Sequence, residues 1–77
     1  KNMFLLYKME GCPYCKKVMA TLEEKGLNYR GLDISDEVNK DELLNLGGME
    51  QVPFLVDTEK NVKMYESGDI INYLETL

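Results

Sequence analysis

Two cysteines, the only ones in the 77 residues, constrain this sequence most, and both lie in the stretch Gly11-Cys12-Pro13-Tyr14-Cys15. Residues 3–7 before it are apolar throughout, which predicts a buried strand, and the residues after it show helical spacing of apolar side chains. Pro13 suits the first position of a helix, so we expect Cys12 to be the N-cap, where free N–H groups and the helix dipole stabilise a thiolate. Cys15 lies one turn further along and is placed to attack a mixed disulfide on Cys12. This arrangement predicts a dithiol redox switch.

The same pair of cysteines has other interpretations. A structural disulfide over two intervening residues would close almost no loop and would stabilise little. A closed zinc site needs four ligands, and a cysteine hydrolase needs a base, but the chain has no His and no second Cys pair. A phosphatase-like cysteine would have an Arg six residues later, where this chain has Val18 and Thr21. The strand-then-helix setting favours redox chemistry over these alternatives, and we predict no metal site.

Composition narrows the class of protein and its partners. The length predicts one domain over residues 1–77, and 44% hydrophobic with 30% charged residues is typical of a globular protein. A net charge of −5 argues against nucleic acid or an anionic membrane surface as the main partner. We expect neither a membrane span nor a signal peptide, because no apolar run approaches the necessary length. Cysteines confined to one C-x-x-C suit a reducing compartment, so we expect a cytoplasmic protein.

The pattern along the chain predicts the order β-α-β-α-β-β-α. We expect Gly26 to follow the first helix as the C′ residue, Ser35 to cap the second helix and Ser67 to cap the third. The predicted elements are strands over 3–7, 27–34, 52–57 and 62–65, and helices over 13–25, from 36 to about 46, and from 67 onward. The first two strands, joined by a helix, should be parallel, and the last two should form an antiparallel hairpin. We expect the helices to bury Cys15, Val18, Met19, Leu22, Val38, Leu43, Leu44, Leu46, Ile70, Ile71, Leu74 and Leu77.

Two local features have both a structural and a functional interpretation. Pro53 is either an ordinary trans proline at the start of a strand or a cis proline that leaves the backbone groups of Val52 unpaired and facing the cysteines. At the last helix, Ser67 and Asp69 are either a simple cap and a first-turn acid or part of a site for a carboxylate at the free N–H groups.

The motifs together resemble the glutaredoxins. The element order with C-x-x-C at the first helix is similar to the thioredoxin fold, and Cys12-Pro13-Tyr14-Cys15 resembles the active-site sequence of dithiol glutaredoxins. Val52-Pro53 is similar to their Val-Pro with a cis bond, and Glu66-Ser67-Gly68-Asp69 lies where most of them have Gly-Gly-x-Asp. The resemblance implies an α/β thioredoxin-like fold, in which a four-stranded mixed sheet carries helices on both faces.

This resemblance implies a monomeric, glutathione-dependent thiol–disulfide oxidoreductase that reduces protein disulfides and glutathione mixed disulfides. It assigns Cys12 as the nucleophile and Cys15 as the resolving thiol, with glutathione as co-substrate. It further implies that Tyr14 flanks the tripeptide and that Val52, held by cis-Pro53, pairs with its cysteine part. The implied binding residues are Tyr14, Gln51, Val52, Pro53, Ser67, Gly68 and Asp69, with Lys8 as an additional candidate.

Two departures from the glutaredoxin pattern lead to alternatives. The usual Lys or Arg three residues before the nucleophile is replaced by Met9, and Lys8 is one residue too early. This departure gives some support to an alternative, a glutaredoxin-like redoxin that thioredoxin reductase recharges. The pair Glu66-Ser67 resembles that of glutathione transferase N-terminal domains, where the Ser holds the γ-glutamyl carboxylate and a helical domain follows. The chain is therefore either a compact glutaredoxin or part of a longer protein. Two binding modules are further alternatives, namely a dimer that holds an iron–sulfur cluster through Cys12 and glutathione, and a non-catalytic glutathione-binding domain.

Overall fold

A four-stranded mixed sheet forms the centre of the fold in the computed structural model, which describes residues 3–77. The elements in chain order are β1 (Phe4–Lys8), α1 (Pro13–Glu24), β2 (Tyr29–Asp33), α2 (Glu37–Gly47), β3 (Phe54–Asp57), β4 (Val62–Tyr65) and α3 (Ser67–Glu75). The strand order across the sheet is β2-β1-β3-β4. Strand β1 runs parallel to β2 and antiparallel to β3, and β3 pairs antiparallel with β4. The predicted element order, the parallel β-α-β unit and the hairpin are confirmed.

The alternating side chains of the central strands bury two apolar clusters on opposite faces of the sheet. The cluster beneath α1 and α3 consists of Phe4, Leu6, Val18, Leu22, Leu55, Ile70 and Leu74. The cluster on the face of α2 consists of Tyr7, Ile34, Leu43, Phe54 and Val56. Helices therefore cover both faces, as predicted, and β1 and β3 supply the centre of both clusters.

Two of the predicted helix caps are wrong by one residue. Asp36 rather than Ser35 caps α2, with its Oδ1 accepting the N–H of Val38 at 2.9 Å. The N–H of Ser35 instead donates to Oδ1 of Asp33 in the preceding turn. At α3 the N-cap is Glu66, and Ser67 is the first helical residue. The predicted C′ role of Gly26 is confirmed, because this residue follows the C-cap of α1 with φ +66°.

Four predicted core residues are exposed. On α2, Leu43 is buried, whereas Val38 is 65% exposed and Leu44 and Leu46 are also exposed. Successive helical residues are rotated by about 100°, so Leu44 points well away from the side of α2 on which Leu43 packs. Leu77 lies beyond the end of α3 and is exposed as well. The apolar content of α2 thus exceeds what its contact with the sheet buries.

Three of the four strands begin later than predicted, and β4 has the predicted bounds. Met3 precedes β1 and is 40% exposed, and β2 begins at Tyr29 rather than at residue 27. Strand β3 begins at Phe54, after the Val52-Pro53 bond, which is cis. A proline has no N–H for the ladder, so pairing starts after it. Within residues 3–77, no helix combines the length and apolar character needed to cross a membrane.

Candidate dithiol site

The register of the sheet brings three chain segments to one end of the fold. Tyr7 in β1 lies opposite Phe54 in β3, and Phe54 lies opposite Tyr65 in β4. Because β3 runs antiparallel to both neighbours, its beginning lies beside the ends of β1 and β4. The loop to the cysteines, the cis-proline segment and the beginning of α3 therefore emerge from the sheet side by side.

Cys12 lies at the N-terminus of α1, as predicted. Its backbone is extended (φ −80°, ψ 111°), and its Sγ accepts the N–H of Cys15 at 3.1 Å. Its own N–H donates to the carbonyl of Met9 at 3.3 Å, and Pro13 occupies the first helical position. The sulfur thus takes the position of a capping oxygen, at the positive end of the helix dipole.

Cys15 differs from Cys12 in its environment. Both cysteines are free thiols, but Cys15 is buried and Cys12 is partly exposed. Burial is the largest cause that raises the pKa of Cys15 from 9.0 to about 11, and the hydrogen bond with Cys12 adds to it. The Met9 backbone and Lys8 act in the opposite direction without outweighing burial. Cys15 is therefore protonated at neutral pH, and the site pairs an accessible sulfur with a protected one.

A groove of about 260 Å³ opens beside Tyr14, the residue directly before Cys15. Its lining residues come from α1, from the segment before β3 and from the beginning of α3, and they are Tyr14, Gln51, Val52, Pro53, Glu66, Ser67 and Gly68. Tyr14 is 58% exposed, and Nζ of Lys17 lies 5.9 Å from the centre of its ring. The groove therefore has an aromatic side, a main-chain side at the cis-proline and a helix N-terminus.

The beginning of α3 presents backbone donors to this groove. Glu66 has φ +72°, which is rare for a residue with a side chain, and it makes no side-chain hydrogen bond to the helix. The first intrahelical bond is from the N–H of Ile70 to the carbonyl of Glu66 at 2.9 Å. The N–H groups of the three residues before Ile70 have no partner within the helix, as is general for a first turn. Such donors are suited to a carboxylate.

The structure brings together six of the ten residues predicted for the site. Tyr14, Gln51, Val52, Pro53, Ser67 and Gly68 line the groove, whereas Cys12, Cys15, Lys8 and Asp69 are not among its lining residues. Nζ of Lys8 lies 3.9 Å from Oδ2 of Asp33, and a Cβ at Gly31 would meet the Lys8 side chain, so Lys8 extends towards β2. Among residues 3–77, no three His, Cys, Asp or Glu side chains converge as a metal site.

One residue that lines the groove and one that contacts the loop before it were not predicted as site residues. Glu66 lines the groove directly, and its membership of the Glu66-Ser67 pair is the sequence signal that could have identified it. Tyr65 bonds to the loop before Gln51, and nothing in the local sequence distinguishes it from an ordinary strand tyrosine.

Comparison with known families and solved structures gives a consistent picture. A family described as the N-terminal domain of glutathione S-transferase matches residues 6–77. The structure of Ure2p in complex with glutathione superimposes with a TM-score of 0.76 at 27% identity, over 92% of this chain and 34% of that chain. A Sulfitobacter glutathione transferase homologue with bound glutathione gives 0.77 at 25% identity, over 96% of this chain and 36% of that one.

A glutathione transferase homologue from Drosophila mojavensis, also with bound glutathione, shows the same fold. Its TM-score is 0.81 at 24% identity, over 99% of this chain and 35% of that chain. The chain thus spans about a third of the length of these solved structures. A search of curated protein sequences gives no significant match.

Proposed function

Because the chain belongs to the family of glutathione S-transferase N-terminal domains, we propose that it binds glutathione in the groove and catalyses glutathione-dependent thiol–disulfide exchange. The observation that carries the redox part is the position of Cys12, whose partly exposed sulfur caps α1 while Cys15 lies buried one turn behind it. The bound glutathione in Ure2p and in the Sulfitobacter homologue supports the binding part.

The groove has groups that match the parts of glutathione. The N–H groups at the beginning of α3, at Ser67 and Gly68, suit the γ-glutamyl carboxylate, and Asp69 in the same first turn is the candidate for its amine. The main chain of Val52, held by cis-Pro53, suits the peptide part of glutathione through strand-like pairing. Tyr14 flanks the ligand beside the thiols. Because Lys8 extends towards Asp33, we assign it no more than a long-range electrostatic effect.

The proposed reaction begins with attack of the Cys12 thiolate on one sulfur of a disulfide. A bond forms between that sulfur and Cys12, the original disulfide bond breaks, and the leaving thiolate takes a proton from water. With a glutathione mixed disulfide as substrate, Cys12 takes up the glutathione sulfur. A second glutathione thiolate then attacks this sulfur, regenerates Cys12 and leaves as oxidised glutathione.

Protein disulfides require the second cysteine. The Cys15 thiol loses its proton to solvent and attacks the Cys12 sulfur of the mixed disulfide, which releases the protein thiolate and forms a Cys12–Cys15 disulfide. Two glutathione molecules then reduce this disulfide and leave as oxidised glutathione. The burial of Cys15 suits this order, because a protonated and protected thiol does not compete with Cys12 for the substrate.

The test is reduction of a glutathione mixed disulfide with glutathione as the reductant, for the wild-type chain and for Cys12→Ser. We expect the variant to lose at least about 10³-fold in turnover, because the remaining thiol, Cys15, is buried and its raised pKa keeps it protonated. Tyr29→Phe is the matched control, since its hydroxyl donates to Glu23 on the surface at 2.7 Å and its ring is retained. Activity that survives in Cys12→Ser would contradict the proposal.

A parallel measurement replaces glutathione with thioredoxin reductase and NADPH. We expect glutathione to support the faster turnover, because the groove offers carboxylate-binding N–H groups. Turnover with the reductase alone would leave the dithiol chemistry in place and would show that the assignment of glutathione as reductant is wrong.

A further inference from the structure

Tyr65 links the two sides of the groove. One side is formed by residues 51–53, which we call the loop wall, and the other by residues 66–68, which we call the helix wall. Tyr65 is the last residue of β4, so the helix wall begins at the next residue along the chain. Resting on the proposed function, we infer that Tyr65 is a positioning residue that sets the separation of the two walls and thereby the affinity for glutathione.

The hydroxyl of Tyr65 holds the beginning of the loop that carries the loop wall. It donates to the carbonyl of Met49 at 2.8 Å and accepts the N–H of Met49 at 3.0 Å. Both main-chain groups of one residue are therefore satisfied by one side chain that is sixteen positions away in the sequence. Met49 is two residues before Gln51, so the loop wall starts directly after this anchor.

The ring of Tyr65 holds the other end of the same loop. Its centre lies 4.5 Å from that of Phe54 at an interplanar angle of 44°, and Phe54 directly follows cis-Pro53. The Phe54 ring packs in turn against Tyr7 in β1, with 6.0 Å between centres. One side chain thus contacts the loop on both sides of the loop wall.

The approach of Tyr65 to the loop depends on Gly47 at the end of α2. A Cβ at Gly47 would overlap the hydroxyl and the adjacent ring carbons of Tyr65. The backbone of Gly47 is helical, so a glycine is needed there for the close approach of the tyrosine and not for an unusual conformation. Gly47 and Tyr65 therefore belong to one contact, and a change in either residue should disturb the loop wall.

The test compares Tyr65→Phe with the matched variant Tyr29→Phe in the whole chain. Tyr65→Phe keeps the ring contact and removes both hydrogen bonds to Met49. Loss of hydrogen bonds of this kind corresponds to a roughly fivefold to tenfold change in an equilibrium, so we expect the KM for glutathione to rise by about that factor. We expect kcat at saturating glutathione and the rate of Cys12 alkylation by iodoacetamide to stay within about twofold of wild type, since neither depends on the loop anchor. Tyr29→Phe should leave all three quantities unchanged.

Amide hydrogen exchange provides a readout that is independent of glutathione. We expect exchange over residues 49–52 to become at least about fivefold faster in Tyr65→Phe, while the amides of β1 stay protected. Gly47→Ala keeps the Tyr65 hydroxyl but places a methyl group where that hydroxyl lies. This variant should therefore also raise the KM for glutathione and speed amide exchange in the loop. Unchanged loop exchange and unchanged KM in Tyr65→Phe would overturn the inference, as would an equal loss of protection in β1, which would indicate general destabilisation. If the wild-type protein does not use glutathione but amide exchange over residues 49–52 is still faster in Tyr65→Phe, the proposed function is wrong and the anchoring role of Tyr65 stands.

Discussion

Replacing Cys12 by Ser isolates the second thiol and allows its protection to be measured. Alkylation by iodoacetamide proceeds through the thiolate, so its rate follows the ionised fraction of the sulfur. With a pKa of about 11 rather than 9.0, Cys15 has a roughly hundredfold smaller thiolate fraction at neutral pH. The substitution also removes the two contributions of Cys12, each of which is smaller than that of burial. We therefore expect Cys15 in folded Cys12→Ser to react at least about tenfold more slowly than in the unfolded chain.

The assay is the time course of the mass increase from a single label, with the same variant in guanidinium chloride as the unfolded reference. The labelling rate of the folded protein should still be rising at pH 9, where a thiol with the ordinary pKa of 9.0 is half ionised, because burial keeps the pKa of Cys15 above that value. A folded rate within about twofold of the unfolded one would refute the argument from burial. It would also remove the reason for assigning Cys15 the second step only.

Three further predictions address the second thiol and the stability of the fold. Cys15→Ser should keep the reduction of glutathione mixed disulfides and lose the dithiol reduction of protein disulfides, measured on both substrates side by side, and equal loss on both would contradict the proposed roles. Tyr73→Phe removes an O–H that donates to the carboxylate of buried Asp57 at 2.6 Å. Burial raises the pKa of this carboxyl, but its hydrogen bonds outweigh burial and hold the pKa below its usual range. The resulting stabilisation is fully present above the unfolded pKa of about 3.9 and is lost progressively as the pH falls from there through the lower pKa of the folded state. Urea denaturation should therefore show a loss of about 1.5–3 kcal/mol for Tyr73→Phe at pH 7 and a smaller difference from wild type near pH 3. Asp36→Ala should cost about 1 kcal/mol in the same assay and Ser35→Ala much less, and equal costs would argue against Asp36 as the cap of α2.

The sequence predicted the features that depend on local spacing. The cysteine pair, Pro13 at the first helical position and Gly26 after α1 each depend on a few neighbouring residues, and each lies where the pattern placed it. The element order and the strand pairing followed from alternating strand and helix patterns joined by short connections. The local sequence left the Val52-Pro53 bond undecided, and the resemblance pointed to the cis form that the structure has.

The errors arose where two local signals compete or where burial depends on a partner element. Ser35 and Asp36 are both good capping residues, and the choice between them depends on Asp33, whose carboxylate takes the N–H of Ser35 for the preceding turn. Leucines at 44 and 46 belong to an apolar pattern, yet α2 contacts the sheet along a strip that buries Leu43 alone among the residues of this helix. The pattern shows how much apolar surface a helix carries, and the fold determines how much of it is covered.

The position of Tyr65 depends on the strand register, which no local pattern contains. In the observed register Tyr65 lies opposite Phe54, and its ring lies on the same face as those of Phe54 and Tyr7. A shift of β4 by one residue against β3 would turn this ring to the opposite face of the sheet and would move the beginning of α3 by about 3.3 Å. The anchor on Met49 and the alignment of the two groove walls would both be lost in that shifted pairing. The register that packs Met64 against the cluster beneath α1 and α3 is therefore the same register that brings the α3 N-terminus beside the cis-proline. Core packing and the geometry of the proposed glutathione site thus depend on one pairing.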